Sequence, residues 1–274
     1  MNRFLIEMDL GARLGLTLIV VFLVAVFLGP YMVPYSEVEI VGGAFESPSA
    51  DHLLGTDNVG RDLLARILAG GRMTVLISLF ATCGAFVMGA PLGIISAVIG
   101  GWFDLLVTRF VDAIMAFPGL ILALILLSAL GTSLISLLVV MSLLSSTIIF
   151  RLTRAVAADI AAMEYIEIAR QRGETMRWFV FKEVLPNVLP TLVTEFGLRF
   201  VYAAILISSL SFLGIGIQPP HADLGGMVKE NSLAISFGRM APILPAMALA
   251  MLAIGVNLVV DGMLRRNTNL ESHR

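Results

Sequence analysis

Long uncharged runs separated by short charged stretches set the pattern of this chain. The first run, Leu14 to Ser36, is 23 residues, and a helix needs about 20 to cross a bilayer. Met73 to Phe103 is 31 residues and also predicts one crossing, with glycines and Pro91 inside it. Ala113 to Phe150 is 38 residues without a charge. At about 1.5 Å per residue, one helix of that length overruns a hydrocarbon core of about 30 Å. It is predicted to turn at Gly131-Thr132-Ser133, giving spans near 105–130 and 134–150. A fifth span begins after Pro186 or Pro190 and ends around the glycines of FLGIGIQPP, and a sixth covers Met240 to Val260. The pattern predicts an all-α integral membrane protein with six transmembrane helices.

The polar stretches carry the next layer of information. The longest, Arg151 to Pro186, holds Arg151, Arg154, Arg170, Arg172, Arg177 and Lys182, six of the eighteen Lys and Arg residues. Within it, Glu164 to Arg172 reads as a short helix. Glu164 and Glu167 stand toward its N-terminal end, Arg170 and Arg172 in its last turn, and Gly173 just past it, an order that suits the helix dipole and a left-handed cap. Counting Lys and Arg in alternate loops gives twelve on the side of this stretch and both termini, against five on the other, with Arg199 inside the fifth span. The excess predicts cytoplasmic termini and a cytoplasmic Arg151–Pro186 loop. On the opposite side, HLLGTDNVGRDLLARILAGGR places Leu63, Leu64, Ile67 and Leu68 at helical spacing beside Arg61, Asp62 and Arg66. That is expected to be an amphipathic helix lying at the surface.

Composition agrees with this class: 58% of residues are hydrophobic and 14% charged, and mean hydropathy is +0.94. The net charge of −2 comes without a basic, aromatic-interleaved patch, so no nucleic-acid partner is indicated. The single cysteine, Cys83, forms no intrachain disulfide and is expected to be a buried small hydrophobe. The N-terminal run is longer than a usual signal core, with Gly29, Pro30 and Tyr31 where a cleavage site would be wanted, and is read as a retained first span.

Chemistry-bearing groups are scarce. Glu195 and Arg199 lie i,i+4 in the fifth span with the acid first, the favourable order for a self-neutralising pair. They are candidates both for structural neutralisation and for the lining of a translocation path. Arg109 and Asp112, just before the Ala116–Pro118 turn, are expected to mark the interface at a helix start. No span carries a chain of carboxylates and histidines, which argues against a proton-driven pump. The only lysines are Lys182 and Lys229, and neither sits in a G-x-x-x-x-G-K-[ST] loop, so no ATP site is spelled out. No catalytic elbow or His/Cys metal spacing is present either. Uphill transport by such a chain needs energy from a partner, and the Glu164–Gly173 segment is the place for it to dock.

The loop carries E-x-A-x-x-x-G at Glu167, Ala169 and Gly173, followed by V-L-P-N at Val184 to Asn187. This resembles the EAA motif of binding-protein-dependent ABC importer permeases. HLLGTDNVGRDLLAR (His52–Arg66), RFVDAIMAFP (Arg109–Pro118), LSFLGIGIQPP (Leu210–Pro220) and N-L-V-V-D-G (Asn257–Gly262) resemble the second permease subunit of the dipeptide/oligopeptide/nickel branch. The resemblance covers about residues 50 to 262 in the family's order.

The resemblance implies a type I importer transmembrane domain in the bacterial inner membrane. The expected organisation is an N-terminal helix and extracytoplasmic segment (1–71), the importer domain (72–262) with its EAA loop at 151–187, and a tail (263–274). The implied partners are a second permease subunit, two cytoplasmic ATP-binding subunits and an extracytoplasmic solute-binding protein. ATP and Mg would be held by the ATPases, leaving this chain without a cofactor or metal and without catalysis of its own. Glu164, Glu167, Ala169, Arg170 and Gly173 would form the ATPase-coupling helix. Ile168 stands where the motif usually has its first Ala, Glu183 where an apolar residue precedes V-L-P, and Leu224 where relatives commonly carry an aromatic. A stand-alone secondary transporter or channel is the competing class. Within the importer class, a di- or oligopeptide cargo competes with nickel or a metal chelate, opines and glutathione.

Overall fold

The computed structural model of the chain describes residues 9–164, 168, 171–175 and 178–271. No strand forms among them. Along the described residues run α1 (Leu10–Leu28), α2 (Leu63–Ile99), α3 (Gly101–Met115), α4 (Gly119–Leu130), α5 (Leu134–Ala161), α6 (Leu185–Leu213), α7 (Leu224–Glu230) and α8 (Ile243–Glu271). Among the described residues, five helical stretches are long and apolar enough to cross a membrane, and six if the bent pair α3–α4 counts as one.

Helix boundaries follow local chemistry more closely than the absence of charge does. α1 starts four residues before the first uncharged run because Asp9 caps it, accepting from the Leu10 N–H at 2.8 Å. Its α-helical part stops at Leu28, and a 3₁₀ turn containing Pro30 follows. The expected single span from Met73 to Phe103 is corrected: α2 ends at Ile99, and Gly100 and Gly101, at φ +65° and +62°, start a new helix. The expected span near 105–130 is likewise broken, its halves α3 and α4 meeting at 91°. Pro118 disfavours helical geometry at Phe117 and cannot donate to the preceding turn. Arg109 and Asp112 therefore sit in the second half of α3, not at a helix start. The turn expected at Gly131 is present, with Gly131 at φ +86° and the Ser133 hydroxyl accepting from the Ser136 N–H at 3.1 Å.

Two expectations for the N-terminal half change. Leu63 to Leu68 is not a separate surface helix but the first turns of the 37-residue α2, which also runs through the expected 71/72 boundary. Leu63 and Arg66 are buried. The charges that make this segment look amphipathic are neutralised internally: Arg66 Nη1 reaches Asp57 Oδ2 and Glu230 Oε2, both at 2.6 Å. Arg61 joins the same two acids at 2.7 and 3.0 Å. Burial pushes the Asp57 carboxyl up, but the N–H groups of Arg61 and Val59 and the two guanidiniums outweigh it and hold it below the ordinary range. Cys83 is exposed rather than buried, because it points away from the face of α2 that carries the buried Ala81 and Ala85. At the other end, α8 continues past residue 262 to Glu271.

The chain divides into two compact units. The first takes in the described residues up to Leu79, Gly131–Leu137 and those from Phe200 on. In it α1 and α8 pack through small residues. A Cβ on Gly15 would meet the Gly255 carbonyl at 2.6 Å and Leu258 Cβ at 2.7 Å, the close approach that glycine permits between membrane helices. A separate cluster of Leu63, Ala222, Met227, Ala234 and Ala241 packs the segment around α7. The second unit, Phe80–Leu130 and Leu138–Arg199, joins the C-terminal part of α2 to α5 by the same device. A Cβ on Gly89 would meet Ile149 Cβ at 2.9 Å, and one on Gly93 would meet the Phe150 carbonyl at 2.8 Å and the Arg154 nitrogen at 2.9 Å. Around this seam lies the unit's apolar core: Ala90, Ile94, Val98, Ile149, Ala157, Ile160, Phe179, Val184, Val188 and Leu192.

Candidate functional site

The segment between α5 and α6 rises from that core. On its upstream side Ala157 and Ile160 anchor the last turns of α5, which close with Ala162 N–H to the Ala158 carbonyl and Met163 N–H to the Ile160 carbonyl, both at 3.1 Å. Arg151 and Arg154 thus belong to a helix rather than to a loop. On the downstream side Phe179 and Val184 are buried in the same core, and Trp178 meets Phe179 edge-on at 5.5 Å. Both ends of the segment therefore stand on one apolar base.

Between those anchors the structure describes Glu164, Ile168 and residues 171–175. The Arg172 N–H bonds the Ile168 carbonyl at 3.1 Å, a helical turn, and Gly173 follows at φ +78° with no atom within 4 Å of the position a Cβ would take. A residue with a side chain would be strained there by its own backbone alone. Thr175 then starts the return: its carbonyl accepts from Phe179 N–H at 3.2 Å and its hydroxyl from Trp178 N–H at 3.4 Å. Glu164 is exposed, while Glu167, Ala169 and Arg170 lie outside the described residues. Ile168, the departure from the motif, is 50% exposed, and Met163 is 47% exposed.

The entry to α6 has a feature the spacing did not predict. Phe179–Val184 forms a π-helical turn, with the Leu185 N–H bonding the Val180 carbonyl five residues back. Pro186 and Pro190 supply no N–H, so the usual ladder is interrupted just here. Two side chains nearby bond the backbone one turn back, Asn187 Nδ2 donating to the Glu183 carbonyl at 2.6 Å and Thr194 Oγ1 to the Pro190 carbonyl at 3.2 Å. Glu183, the second departure, is half-buried. Leu224, the third, is fully buried at the first position of α7, so it offers no contact surface.

Glu195 and Arg199 pair as expected, Nε to Oε1 at 2.5 Å, both partly buried. Neither lines the apolar groove of about 620 Å³ formed by Phe86, Pro91, Ile94, Phe181, Leu185 and Leu192.

A second ion pair was not legible in the spacing. Arg154 grips Asp104 with two bonds, Nε to Oδ1 and Nη2 to Oδ2, each at 2.5 Å. The Ser96 hydroxyl donates to the same carboxylate at 2.6 Å. The partners are far apart in sequence, and the only hint was a lone acid three residues past a glycine pair. Among the described residues no group of His, Cys, Asp and Glu is arranged to hold a metal.

Residues 89–268 match the family described as binding-protein-dependent transport system inner membrane component. Relatives include the dipeptide transport system permease protein DppC of Alkalihalophilus pseudofirmus, 30% identical over 92% of this chain and 83% of that one. Another is the glutathione transport system permease protein GsiD of Pectobacterium atrosepticum, 31% identical over 96% and 87%. A putative peptide permease protein of Brucella suis is 34% identical over 96% and 87%. Among solved structures, an inward-facing MetNI methionine ABC transporter superimposes with a TM-score of 0.61 at 20% identity, covering 73% of this chain and 95% of that one. An amino acid ABC transporter with histidines gives 0.55 at 16%, covering 73% and 94%.

Proposed function

Because the chain belongs to the family of binding-protein-dependent transport system inner membrane components and has the all-α fold of type I ABC importer permeases, we propose that it is the pore-forming permease subunit of an ATP-driven importer of short peptides. It would pair with a second permease in the bacterial inner membrane, both termini cytoplasmic, and receive cargo from an extracytoplasmic binding protein. Two separate ATPases would supply the energy and hold the ATP and Mg, so this chain would catalyse no chemistry of its own. The cargo reading rests on relatives named for dipeptide, glutathione and peptide transport.

The observation that carries the mechanism is the turn at Gly173. A helical turn, a left-handed glycine in open space and two exposed apolar residues stand on a base that grips both ends of the segment. A segment so held transmits force rather than absorbing it when a partner closes on it. The ATPases docking there would rock the helices between inward- and outward-facing states. The test is a pull-down of the tagged chain from detergent-solubilised membranes, with ATP hydrolysis measured on the eluate. Wild type is expected to bring down a second permease and an active ATPase. Gly173→Asp adds a charge and a left-handed strain of about 1 kcal/mol, so it should lose the ATPase while keeping the second permease. A Gly173→Asp eluate as active as wild type would overturn the docking assignment.

A further inference from the structure

We propose that the Asp104–Arg154 ion pair is a positioning latch that carries movement of the docking segment into the bent pair α3–α4, an inference that rests on the importer reading above. Arg154 lies on α5, about two turns before that helix ends and the docking segment begins. Asp104 lies in the first turn of α3, where a negative charge is favoured by the helix dipole. The contact is a bidentate guanidinium–carboxylate fork at 2.5 Å on both arms, the strongest and most directional kind of side-chain bond. Ser96 on α2 completes it at 2.6 Å, so one carboxylate ties three helices together. Thr108, one turn along α3, also reaches that carboxylate, at 3.5 Å.

What makes this more than charge neutralisation is what else holds α3. Its covalent tie to α2 is Gly100-Gly101, both at positive φ with no atom near where a Cβ would sit, so no side-chain packing at this joint fixes the angle between the two helices. The apolar core under the docking segment draws on α2, α5, the π turn and α6, and none of its buried members comes from α3 or α4. That core is tied to the docking segment at both ends, through Ala157 and Ile160 in the last turns of α5 and through Phe179 and Val184 on the return. Nothing in that core holds α3, which meets α5 through the fork at Asp104 and, at its far end, through the weaker contact of Arg151 Nη1 with Met115 Sδ at 3.8 Å. At the other end of α3 the chain turns through 91° at Pro118, so a shift of α3 reorients α4 as well.

The experiment uses the full complex in proteoliposomes: both permeases, the ATPases and the co-encoded binding protein. ATP hydrolysis is measured with and without the binding protein, and thermal stability beside it. Wild-type hydrolysis is expected to rise when the binding protein is added. Asp104→Asn and Arg154→Gln should keep basal hydrolysis but lose about fivefold or more of that stimulation, the scale of a broken coupling between sites. Each also leaves an unpaired charge, so some loss of thermal stability is expected. The double variant D104N/R154Q leaves no such charge and should recover stability without recovering stimulation. The exchanged pair D104R/R154D should recover part of the stimulation, its stability held below wild type by a cation in the first turn of α3. If the double variant is stimulated like wild type, or Asp104→Asn is, the pair only neutralises charge and the latch is overturned. If the wild-type complex hydrolyses no ATP, the importer reading falls first and the latch with it.

Discussion

Asp223 shows how one buried side chain sets a pH dependence. It caps α7 by accepting from the N–H groups of Gly225 and Gly226, each at 3.1 Å. Burial pushes its carboxyl from the ordinary 3.8 up to about 6, against those two bonds and one from Ser211. A folded-state value above the unfolded one means that the protonated form is favoured by folding. The stabilisation is full below about 4 and is lost as pH rises through about 6. Asp223→Asn keeps an oxygen acceptor and cannot ionise. Thermal unfolding in detergent from pH 4 to 8 should therefore show wild type falling behind the variant up to just above pH 6 and no further. The separation should level off at no more than about 3 kcal/mol. A constant offset across the range would sink the assignment. At this scale the sequence was uneven. The Glu195–Arg199 pair was legible because i,i+4 spacing on one helix fixes the geometry. Asp104–Arg154 was not, because its partners meet only when two helices pack. Gly173 was legible because a left-handed turn after a helix has few other solutions.

Among the elements, glycine works in two opposite ways. At Gly100-Gly101 it frees the backbone, and at Gly15, Gly89 and Gly93 it lets two helices approach where any side chain would collide. Gly15→Val would drive two methyl groups into the Gly255 carbonyl and Leu258. Overpacking of this kind costs about 1–3 kcal/mol, and α1 and α8 can relieve it only by separating. A lowered melting temperature in detergent is expected, with the far-ultraviolet helical signal unchanged before the transition. Unchanged melting would mean that the two helices do not pack through this glycine. Counting uncharged residues missed the break between α3 and α4 and the one after Ile99. Apolar length says how much chain can sit in hydrocarbon, whereas prolines and left-handed glycines decide where the helix axis turns. The same limit made Leu63 to Leu68 look like a surface helix, since its charges find their partners at Asp57 and Glu230, and Glu230 is 164 residues beyond Arg66.

For the whole molecule, the scarcity of reactive groups is the informative property. The chain has two lysines and three histidines, and no phosphate-binding loop. Reconstituted alone in liposomes it is expected to show neither ATP hydrolysis nor ATP-dependent dipeptide uptake, and adding the ATPases, second permease and binding protein should restore both. ATP-dependent uptake by the chain alone would refute the partner-driven mechanism.

Class, approximate number of spans and the left-handed turn at Gly173 were all legible in the sequence, because each depends on residues close together in the chain. Length of apolar run, motif spacing and a glycine past a helix end act over a few turns of backbone. Two things were decided only by the tertiary structure: the buried network that absorbs Arg61 and Arg66, and the fork that joins Asp104 to Arg154. Each depends on which distant group supplies the opposite charge, and that is settled only when helices far apart in sequence pack against one another.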